Sequence, residues 1–474
     1  MSAIPIVLVW GLLVWGAVSR KPVLIYLFFA SMPFGAFAVV PTALTAGLTI
    51  TATPLVALML TLRVFMRRGG LIQILGLACR PDRLLLLFLF GAVAATTTLF
   101  MPRLFEGQID VVPVRGDLDQ VVALRPTAQN FSQLVYLLIS ISLVFAFARL
   151  MQSERLRQQA YKALCLGGLI ASATGLLDFL SQYLPLGAVL EPLRTASYAL
   201  AIDVEVLGSK RVVGLMPEAS AFGALCLAFL SAIYFYRRAI LFAWWRNVVA
   251  PVVLVSLLAC ICVAKSSGTY LGLALFFSVA MLEWLLRVRA RDRDYRRGLA
   301  GELSAVIGLL IAICTLLIIR PDLLEPVYDT FDRMILQKGS SMSYEQRGMW
   351  RSVAFASLFA SDGLGVGLGS ARTSSSLVAI LSGTGIVGAG LYYAFVLQSL
   401  ARGRPDLSSE GRLVLSAFRF SFVPGFTVGL MVGNSDFGGM TAFGFGLVAA
   451  VSGQVPRRQF GKWPVRPWRP AQPA

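Results

Sequence analysis

The chain has 474 residues, of which 57% are hydrophobic and only 14% are charged, and its mean hydropathy is +0.75. Soluble domains are about 45–50% apolar and about 25% charged, so this composition excludes an ordinary soluble protein and indicates an all-α polytopic membrane protein, a single integral domain over residues 1–474. The formal net charge is +18 and histidine is absent, which excludes histidine general bases and histidine metal ligands.

Apolar stretches long enough to cross a membrane recur along the whole chain, since a membrane helix needs about 20 mostly apolar residues. We expect the first stretch to be a membrane helix rather than a signal peptide, because no basic residue precedes it. The pattern predicts about 12–13 transmembrane helices, with candidates at residues 4–18, 23–40, 49–65, 84–100, 134–147, 161–180, 219–236, 248–263, 269–286, 303–319, 374–397, 413–431 and 441–455.

Arginine and lysine cluster in every second connection between these stretches. By the positive-inside rule these connections face the cytoplasm, and the N-terminus then lies outside. The rule also explains the net charge, and we expect no nucleic-acid partner because no basic stripe is interleaved with aromatic residues. The basic connections contain Arg20, Arg67, Arg149, Arg237, the run 287–297, Arg402 and the tail that begins at Arg457.

Three long connections of mixed charge fall on the opposite, outer side, at residues 101–133, 181–218 and 320–373. The third connects the tenth and eleventh predicted spans and is the largest. Its polar part, residues 339–375, contrasts with the apolar stretches around it. We therefore expect this large outer loop to carry the functional segment.

The second outer loop ends in the sequence KRVVGLMPEAS, residues 210–220. Pro217 is typical of the start of a helix, and Glu218 would match the positive end of that helix. The alternative is functional: an ionisable residue close to hydrocarbon is costly, and Glu218 would lie within reach of Arg211. Both interpretations stay open at this point.

A tight outer turn, KSSGT, connects the eighth and ninth predicted spans at residues 265–269. The Lys265 ammonium can extend to the interface while its stem stays in the apolar layer. Alternatively it forms part of an anion site together with the neighbouring hydroxyl groups.

The polar segment carries Arg347 and Arg351, which are four positions apart and therefore share one face of a helix. Two guanidinium groups on one face can hold phosphate oxygens in a bidentate way, and Trp350 is expected at the lipid interface. Glycines then let the backbone approach a ligand, and a third arginine precedes the next span. The alternative is an amphipathic surface helix with solvated arginines. The further candidates of this segment are Gly365, Gly367 and Arg372.

The outer loops give only weak support for a metal site, the pair Asp117 and Asp119. We therefore expect no metal and no cofactor. A transporter would place ionisable residues near the bilayer midplane. Asp178 and Asp436 instead fall near the outer ends of predicted spans.

Three segments together resemble the O-antigen ligase/Wzy polymerase superfamily. They are RVVGLMPEAS (residues 211–220), SSGT (266–269) and YEQRGMWRSVAFASLFASDGLGVGLGSARTS (344–374). The resemblance covers the order of these elements over about the C-terminal half of the chain. In the N-terminal half the similarity is limited to a polytopic character.

The resemblance implies a GT-C-type glycosyltransferase fold at the periplasmic face of the bacterial inner membrane. It also implies an undecaprenyl-pyrophosphate-linked glycan as the substrate, no metal requirement, and a chain-length regulator as a further partner. Outer-loop arginines of the family hold the pyrophosphate; here they would be Arg211 and Arg347, with Arg351 and Arg372 as further partners. Ligases of the family use a histidine in the large loop, and since this chain has none, a polymerase is favoured over a ligase.

The expected reaction is an inverting glycosyl transfer in which an acceptor hydroxyl attacks the anomeric carbon. A carboxylate would accept the hydroxyl proton, with Glu218 as the first candidate and Glu345 and Asp436 as weaker ones. The predicted catalytic set is thus Glu218, Arg211 and Arg347. A lipid-linked glycan flippase or exporter, and a structural subunit of a polysaccharide complex, are the competing hypotheses.

Overall fold

The computed structural model describes residues 4–40, 49–115, 120–196, 200–206, 209–290, 295–296, 298–319, 342–403 and 407–453. Within these ranges the chain is mainly helical, with two short antiparallel strand pairs in the connections. The helices are α1 (Ile4–Val18), α2 (Val23–Ser31), α3 (Ala52–Phe65), α4 (Gly70–Ala78), α5 (Leu85–Leu104), α6 (Ala128–Leu150), α7 (Glu154–Leu180), α8 (Gly187–Leu190), α9 (Ala219–Tyr236), α10 (Ala250–Ala264), α11 (Ser267–Arg289), α12 (Leu299–Ile319), α13 (Met342–Ala360), α14 (Ser376–Ala401), α15 (Ser409–Leu430) and α16 (Gly438–Val451). The strands are β1 (Asp110–Val111), β2 (Val122–Ala123), β3 (Glu205–Val206) and β4 (Ser209–Lys210), and single turns of 3-10 helix at Glu191–Leu193 and Arg237–Ala239 and of π-helix at Trp245–Val249 complete the elements.

Eight helices in the described ranges are long and apolar enough to cross a membrane. This confirms the prediction of an all-α, multi-pass membrane protein. Helices α1, α3, α12 and α16 coincide with further predicted spans, so the count of 12–13 spans and the GT-C-type arrangement stay predictions. The eight are Leu85–Leu104, Ala128–Leu150, Glu154–Leu180, Ala219–Ala239, Trp245–Ala264, Ser267–Arg289, Ser376–Ala401 and Ser409–Leu430.

The predicted span 23–40 is wrong as a single helix, because α2 ends at Ser31. Pro33 follows, and proline has no N–H to continue the helical hydrogen-bond ladder. The chain beyond it is buried but not helical, and its backbone groups pair with the second outer loop. Ala36 donates its N–H to the carbonyl of Leu215 at 2.8 Å and accepts from Thr195 N–H at 2.9 Å. This pairing satisfies backbone groups that could not remain unbonded in an apolar layer.

Aromatic side chains fill the centre of the bundle where α2, α6 and α16 meet. The ring of Phe147 lies 5.3 Å from that of Phe28 and 5.3 Å from that of Phe443, both edge to face. Phe29 contacts Phe443 in the same way at 5.1 Å. Edge-to-face pairs of this kind each add about 0.5–1.5 kcal/mol beyond their buried area. The short helix α16 is therefore fixed in the core.

The large outer loop is partly helical, which refines the prediction for residues 320–373. Residues 342–360 form α13, and the glycine-rich turn after it leads into α14. Residues 320–341 lie outside the described ranges, as do Asp117 and Asp119. Helix α13 contacts β1 in the first outer loop, so two of the outer loops touch.

At the end of the bundle opposite the outer loops, arginine side chains donate hydrogen bonds to carbonyl groups in the last turns of helices. Arg83 donates to the Ala449 carbonyl of α16 at 3.0 Å, and Arg419 donates to the Leu400 carbonyl of α14 at 2.9 Å. A cation suits this position, since the C-terminal end of a helix carries partial negative charge. We call this end the basic face; the ion pairs that lie there include Arg157–Glu410 and Arg287–Glu302, both at 2.6 Å.

Candidate functional site

Asp178 fixes the loop that carries two of the predicted site residues. Its side chain is fully buried at the outer end of α7 and pairs with Arg194 at 2.6 Å. The second carboxylate oxygen accepts the N–H groups of Val213 at 2.7 Å and Gly214 at 3.0 Å. A buried carboxylate is tolerated only when it is paired and hydrogen-bonded in this way. Asp178 thus sets the path of the backbone between Arg211 and the start of α9.

Arg211 lies against the end of α10. Its Nε donates to the Ala264 carbonyl at 3.3 Å, and the neighbouring Val212 N–H donates to the Val263 carbonyl at 3.3 Å. Burial lowers the pKa of the Arg211 guanidinium, and the nearby Glu218 opposes that shift. The end of α10 therefore orients the half-buried Arg211 side chain, and the charge of Glu218 influences it.

Glu218 stands at the residue that precedes the first turn of α9, as the helix-start interpretation expected. Its side chain does not cap the helix; it is exposed and accepts a hydrogen bond from the Ser220 hydroxyl. The carboxylate also acts electrostatically on Arg372 in the third outer loop. Its position therefore agrees with both interpretations, and its orientation leaves it accessible to a ligand.

Helix α13 carries Arg347 and Arg351 one turn apart, so the predicted helical face is confirmed. Both side chains are exposed. The Ser374 hydroxyl donates to the Arg347 carbonyl at 2.9 Å, which ties α13 to the segment after the glycine turn. Among the described residues Arg351 forms no ion pair, and the structure does not bring it into contact with Arg211.

Trp350 is buried in the protein rather than exposed to lipid, in contrast to the expectation. It is 8% exposed, and the guanidinium carbon of Arg372 lies 4.3 Å from its ring centroid. An arginine over an aromatic face is held by cation–π attraction. No sequence pattern indicated this pair, because the glycine turn separates the two residues.

Arg372 connects the outer loops. Its backbone N–H donates to the Val112 carbonyl at 2.8 Å, and its Nη1 donates to the Val114 carbonyl at 3.0 Å. Burial lowers the pKa of Arg372 and the neighbouring Arg347 lowers it further, whereas Glu218 raises it. Arg372 therefore lies within the fields of residues from both the second and the third outer loop. We call Arg211, Glu218, Arg347, Trp350 and Arg372 the outer site.

The glycine turn is filled by protein rather than open to a ligand. Gly365 and Gly367 are buried, with φ of 83° and 85°. A Cβ on Gly365 would lie 2.5 Å from the backbone nitrogen of Gly385 in α14, and one on Gly367 would lie 2.8 Å from the Pro102 ring in α5. These glycines therefore serve the packing of the turn between two helices, and we leave them out of the outer site.

Lys265 ends α10 in a left-handed conformation, with φ of 45°. It follows directly on Ala264, the residue whose carbonyl binds Arg211, and its side chain is half-buried. The turn thus lies next to the Arg211 side of the outer site. This position leaves both interpretations of Lys265 open.

Asp436 lies deeper than the outer end of a span. Its carboxylate faces Ser140, which is about 18 Å along the axis of α6 from the first residue of that helix. The Gly438 N–H donates to Asp436 at 3.1 Å, and the Phe437 ring stacks on Tyr392 with centroids 6.1 Å apart. The segment before α16 therefore turns into the bundle, which also explains why α16 is short.

Within the described ranges no three cysteine or acidic side chains are grouped to hold a metal ion. Comparison of the chain with protein-family models, with curated proteins and with solved structures finds no match. The superfamily resemblance therefore stays a prediction that rests on the three segments themselves.

Proposed function

We propose that this chain is a membrane glycosyltransferase that polymerises oligosaccharide repeat units carried on undecaprenyl pyrophosphate into a surface polysaccharide or exopolysaccharide. The reaction would run at the periplasmic face of the bacterial inner membrane. The relationship that supports this most is electrostatic: burial lowers the pKa of Arg211, in the second outer loop, and the pKa of Arg372, in the third, and the Glu218 carboxylate opposes both shifts. Residues from two separate outer loops thus contribute to one predominantly cationic surface at the end of a membrane-spanning helix bundle.

A lipid-linked pyrophosphate fits such a surface. Guanidinium groups bind phosphate oxygens through two parallel N–H donors, which an ammonium group cannot do. In this proposal Arg211 and Arg347 hold the pyrophosphate, and Arg372 is a third ligand oriented by Trp350. Arg351 and Lys265 contribute positive charge at the edge of the outer site. The lipid chain of the substrate would remain in the bilayer beside the bundle.

The transfer step breaks the bond between the anomeric carbon and the pyrophosphate oxygen. That oxygen leaves with the electron pair, and the acceptor hydroxyl forms the new glycosidic bond. The hydroxyl proton passes to the Glu218 carboxylate, the base in this proposal. Pyrophosphate is a good leaving group, so the main contributions of the protein are orientation and stabilisation of the developing negative charge.

Accumulated products separate this proposal from its alternatives. A strain that lacks a polymerase displays single repeat units on its surface, whereas a strain that lacks a flippase retains them on the cytoplasmic face. A strain that lacks a ligase-like transferase accumulates finished polymer on the lipid carrier. The lipid-linked glycans of a deletion strain, resolved by size and by sidedness, therefore test the function directly.

The residue assignment is tested by complementing that strain with Arg347→Ala and with Glu218→Gln. Both variants should abolish polymer while the protein remains at its normal level in the membrane. Lys210→Ala is the matched control, because Lys210 is next to Arg211 but pairs with the exposed Asp203 at 2.7 Å. Normal polymer from both site variants would overturn the assignment of the outer site.

A further inference from the structure

A cleft of about 360 Å³ opens on the basic face between α4 and the end of α6. Helix α6 carries Asn130, whose side chain donates to the Leu368 carbonyl of the glycine turn at 2.8 Å. Arg149 lies about 28 Å further along the same helix axis. The cleft is therefore at the opposite end of the bundle from the outer site. It is lined by Gln73, Gly76, Leu77, Arg80, Arg149 and Gln152.

Two arginines supply the charge of this cleft, which we call the α4 cleft. Arg149 donates from Nε to Gln73 at 2.5 Å and from Nη1 to Gln152 at 2.9 Å. These bonds fix the plane of its guanidinium group. Arg80 is exposed on the same rim, and the lining set contains no acid that would neutralise the two cations. The polar wall is thus suited to a phosphate group.

The other rim of the α4 cleft is apolar. Helix α4 has nine residues, too few to cross a bilayer, yet it exposes large apolar side chains. Leu71 is 56% exposed, Ile72 is 76% exposed and Leu75 is 49% exposed. In a membrane protein such side chains lie against lipid at the interface. The cleft therefore joins a cationic wall to a lipid-facing apolar surface.

We propose that the α4 cleft binds an anionic phospholipid, with its phosphate on Arg80 and Arg149 and an acyl chain along Leu71, Ile72 and Leu75. Basic pockets between helices at a membrane surface bind lipid headgroups in this manner. A free phosphate ion would use the two arginines but would gain nothing from the apolar rim. The combination of both surfaces therefore favours the lipid.

Gly76 offers a way to test the cleft without changing its charge. A Cβ at this position would meet no atom within 4 Å, so Gly76→Leu adds a side chain to the open space of the cleft. Gly390→Leu in α14 is the matched control, because that glycine is also exposed and has no neighbouring atom within 4 Å. The second variant, Arg80→Gln with Arg149→Gln, removes the charge.

The experiment uses the full-length, delipidated protein in detergent, titrated with dioleoyl phosphatidylglycerol, dioleoyl phosphatidylcholine or inorganic phosphate. Bound lipid is counted by native mass spectrometry. We expect at least tenfold tighter binding of phosphatidylglycerol than of phosphatidylcholine. Gly76→Leu and the double arginine variant should each lose that preference by about tenfold or more, and Gly390→Leu should keep it.

Three results would overturn the proposal. Equal binding of the two lipids by the wild type would remove the anionic preference, and unchanged binding by Gly76→Leu would place the lipid elsewhere. Inorganic phosphate that displaced the lipid at equimolar concentration would identify a site for a free anion. If the double variant does not fold, Gly76→Leu alone decides between these outcomes.

Discussion

The guanidinium carbon of Arg372 lies 4.3 Å from the centroid of the buried Trp350 ring. The same side chain donates to the Val114 carbonyl, so one guanidinium group joins α13, the segment after the glycine turn and the first outer loop. A guanidinium stacked by its face still presents N–H groups at its edge. Arg372 is therefore oriented before any ligand arrives, which lowers the entropy cost of binding.

Replacing the ring of Trp350 should weaken the binding of the lipid-linked donor more than it slows the transfer step. Trp350→Leu removes a cation–π contact worth about 0.5–2 kcal/mol, and we expect KM for the donor to rise by about 2- to 30-fold. Trp350→Phe keeps an aromatic face, so its KM for the donor should rise less. The measurement is polymer formation by the protein in lipid vesicles at varied donor concentration. A fall in kcat with unchanged KM in Trp350→Leu would contradict the orienting role.

Glu218 and Arg372 should be energetically coupled, because the carboxylate acts on the guanidinium across two loops. Donor affinity measured for Glu218→Gln, Arg372→Gln and the double variant gives a double-mutant cycle. We expect a coupling energy of at least about 0.5 kcal/mol, the lower end for residues in one network. The control cycle pairs Glu218→Gln with Arg103→Gln, an exposed arginine that donates within α5. Additivity in the first cycle would mean that the two loops act independently.

Asp178→Asn should destabilise the protein through Arg194. Breaking a buried ion pair by removing one partner costs about 3–5 kcal/mol, because the remaining charge stays buried. We expect a lower midpoint of thermal unfolding in detergent, and also weaker donor binding, since the loop that carries Arg211 loses its anchor. The double variant Asp178→Asn with Arg194→Met should recover part of the thermal stability. An unchanged unfolding midpoint in the single variant would contradict the anchoring role.

Alanine at Gly365 or Gly367 should damage folding rather than catalysis alone. Each glycine has a left-handed φ, which costs an alanine about 1–2 kcal/mol. The close neighbours in α14 and α5 add a steric cost of about 1–3 kcal/mol. Gly425→Ala in α15 is the control, since its Cβ would meet no atom within 4 Å. The check is the amount of folded protein in size-exclusion chromatography, and normal stability with lost donor binding would restore the ligand-contact interpretation.

Hydropathy predicted the long helices well, because an apolar run of about 20 residues has few other folds available in a membrane. The period of the helix also placed Arg347 and Arg351 on one face of α13. Both features depend on neighbours in the sequence. The end of α2 could have been predicted as well, since Pro33 interrupts the apolar run that we read as one span.

Contacts between residues that are far apart in the sequence could not be predicted from hydropathy or helical period. The sequence did not indicate that Trp350 is buried under Arg372, or that Gly365 meets the backbone of α14. Asp178 could have been suspected, because a lone carboxylate in an apolar stretch needs a partner, but its partner Arg194 could not be identified from spacing. The proximity of Glu218 to Arg372 likewise follows from tertiary packing alone.

The hydrogen bond that Arg83 forms just before α5 limits when the bundle can finish folding during synthesis. Its acceptor on α16 is the Ala449 carbonyl, 366 positions later in the chain. Synthesis runs from the N-terminus, so the guanidinium cannot form this hydrogen bond until the 366 residues that follow it, up to Ala449, have been made. In a chain interrupted before α16, Arg83 would keep its ion pair with Asp82 at 3.2 Å but would lack the α16 carbonyl, and the bundle would remain open. Such fragments should be preferred substrates of membrane proteases, whereas a chain in which α16 has packed into the bundle should escape them.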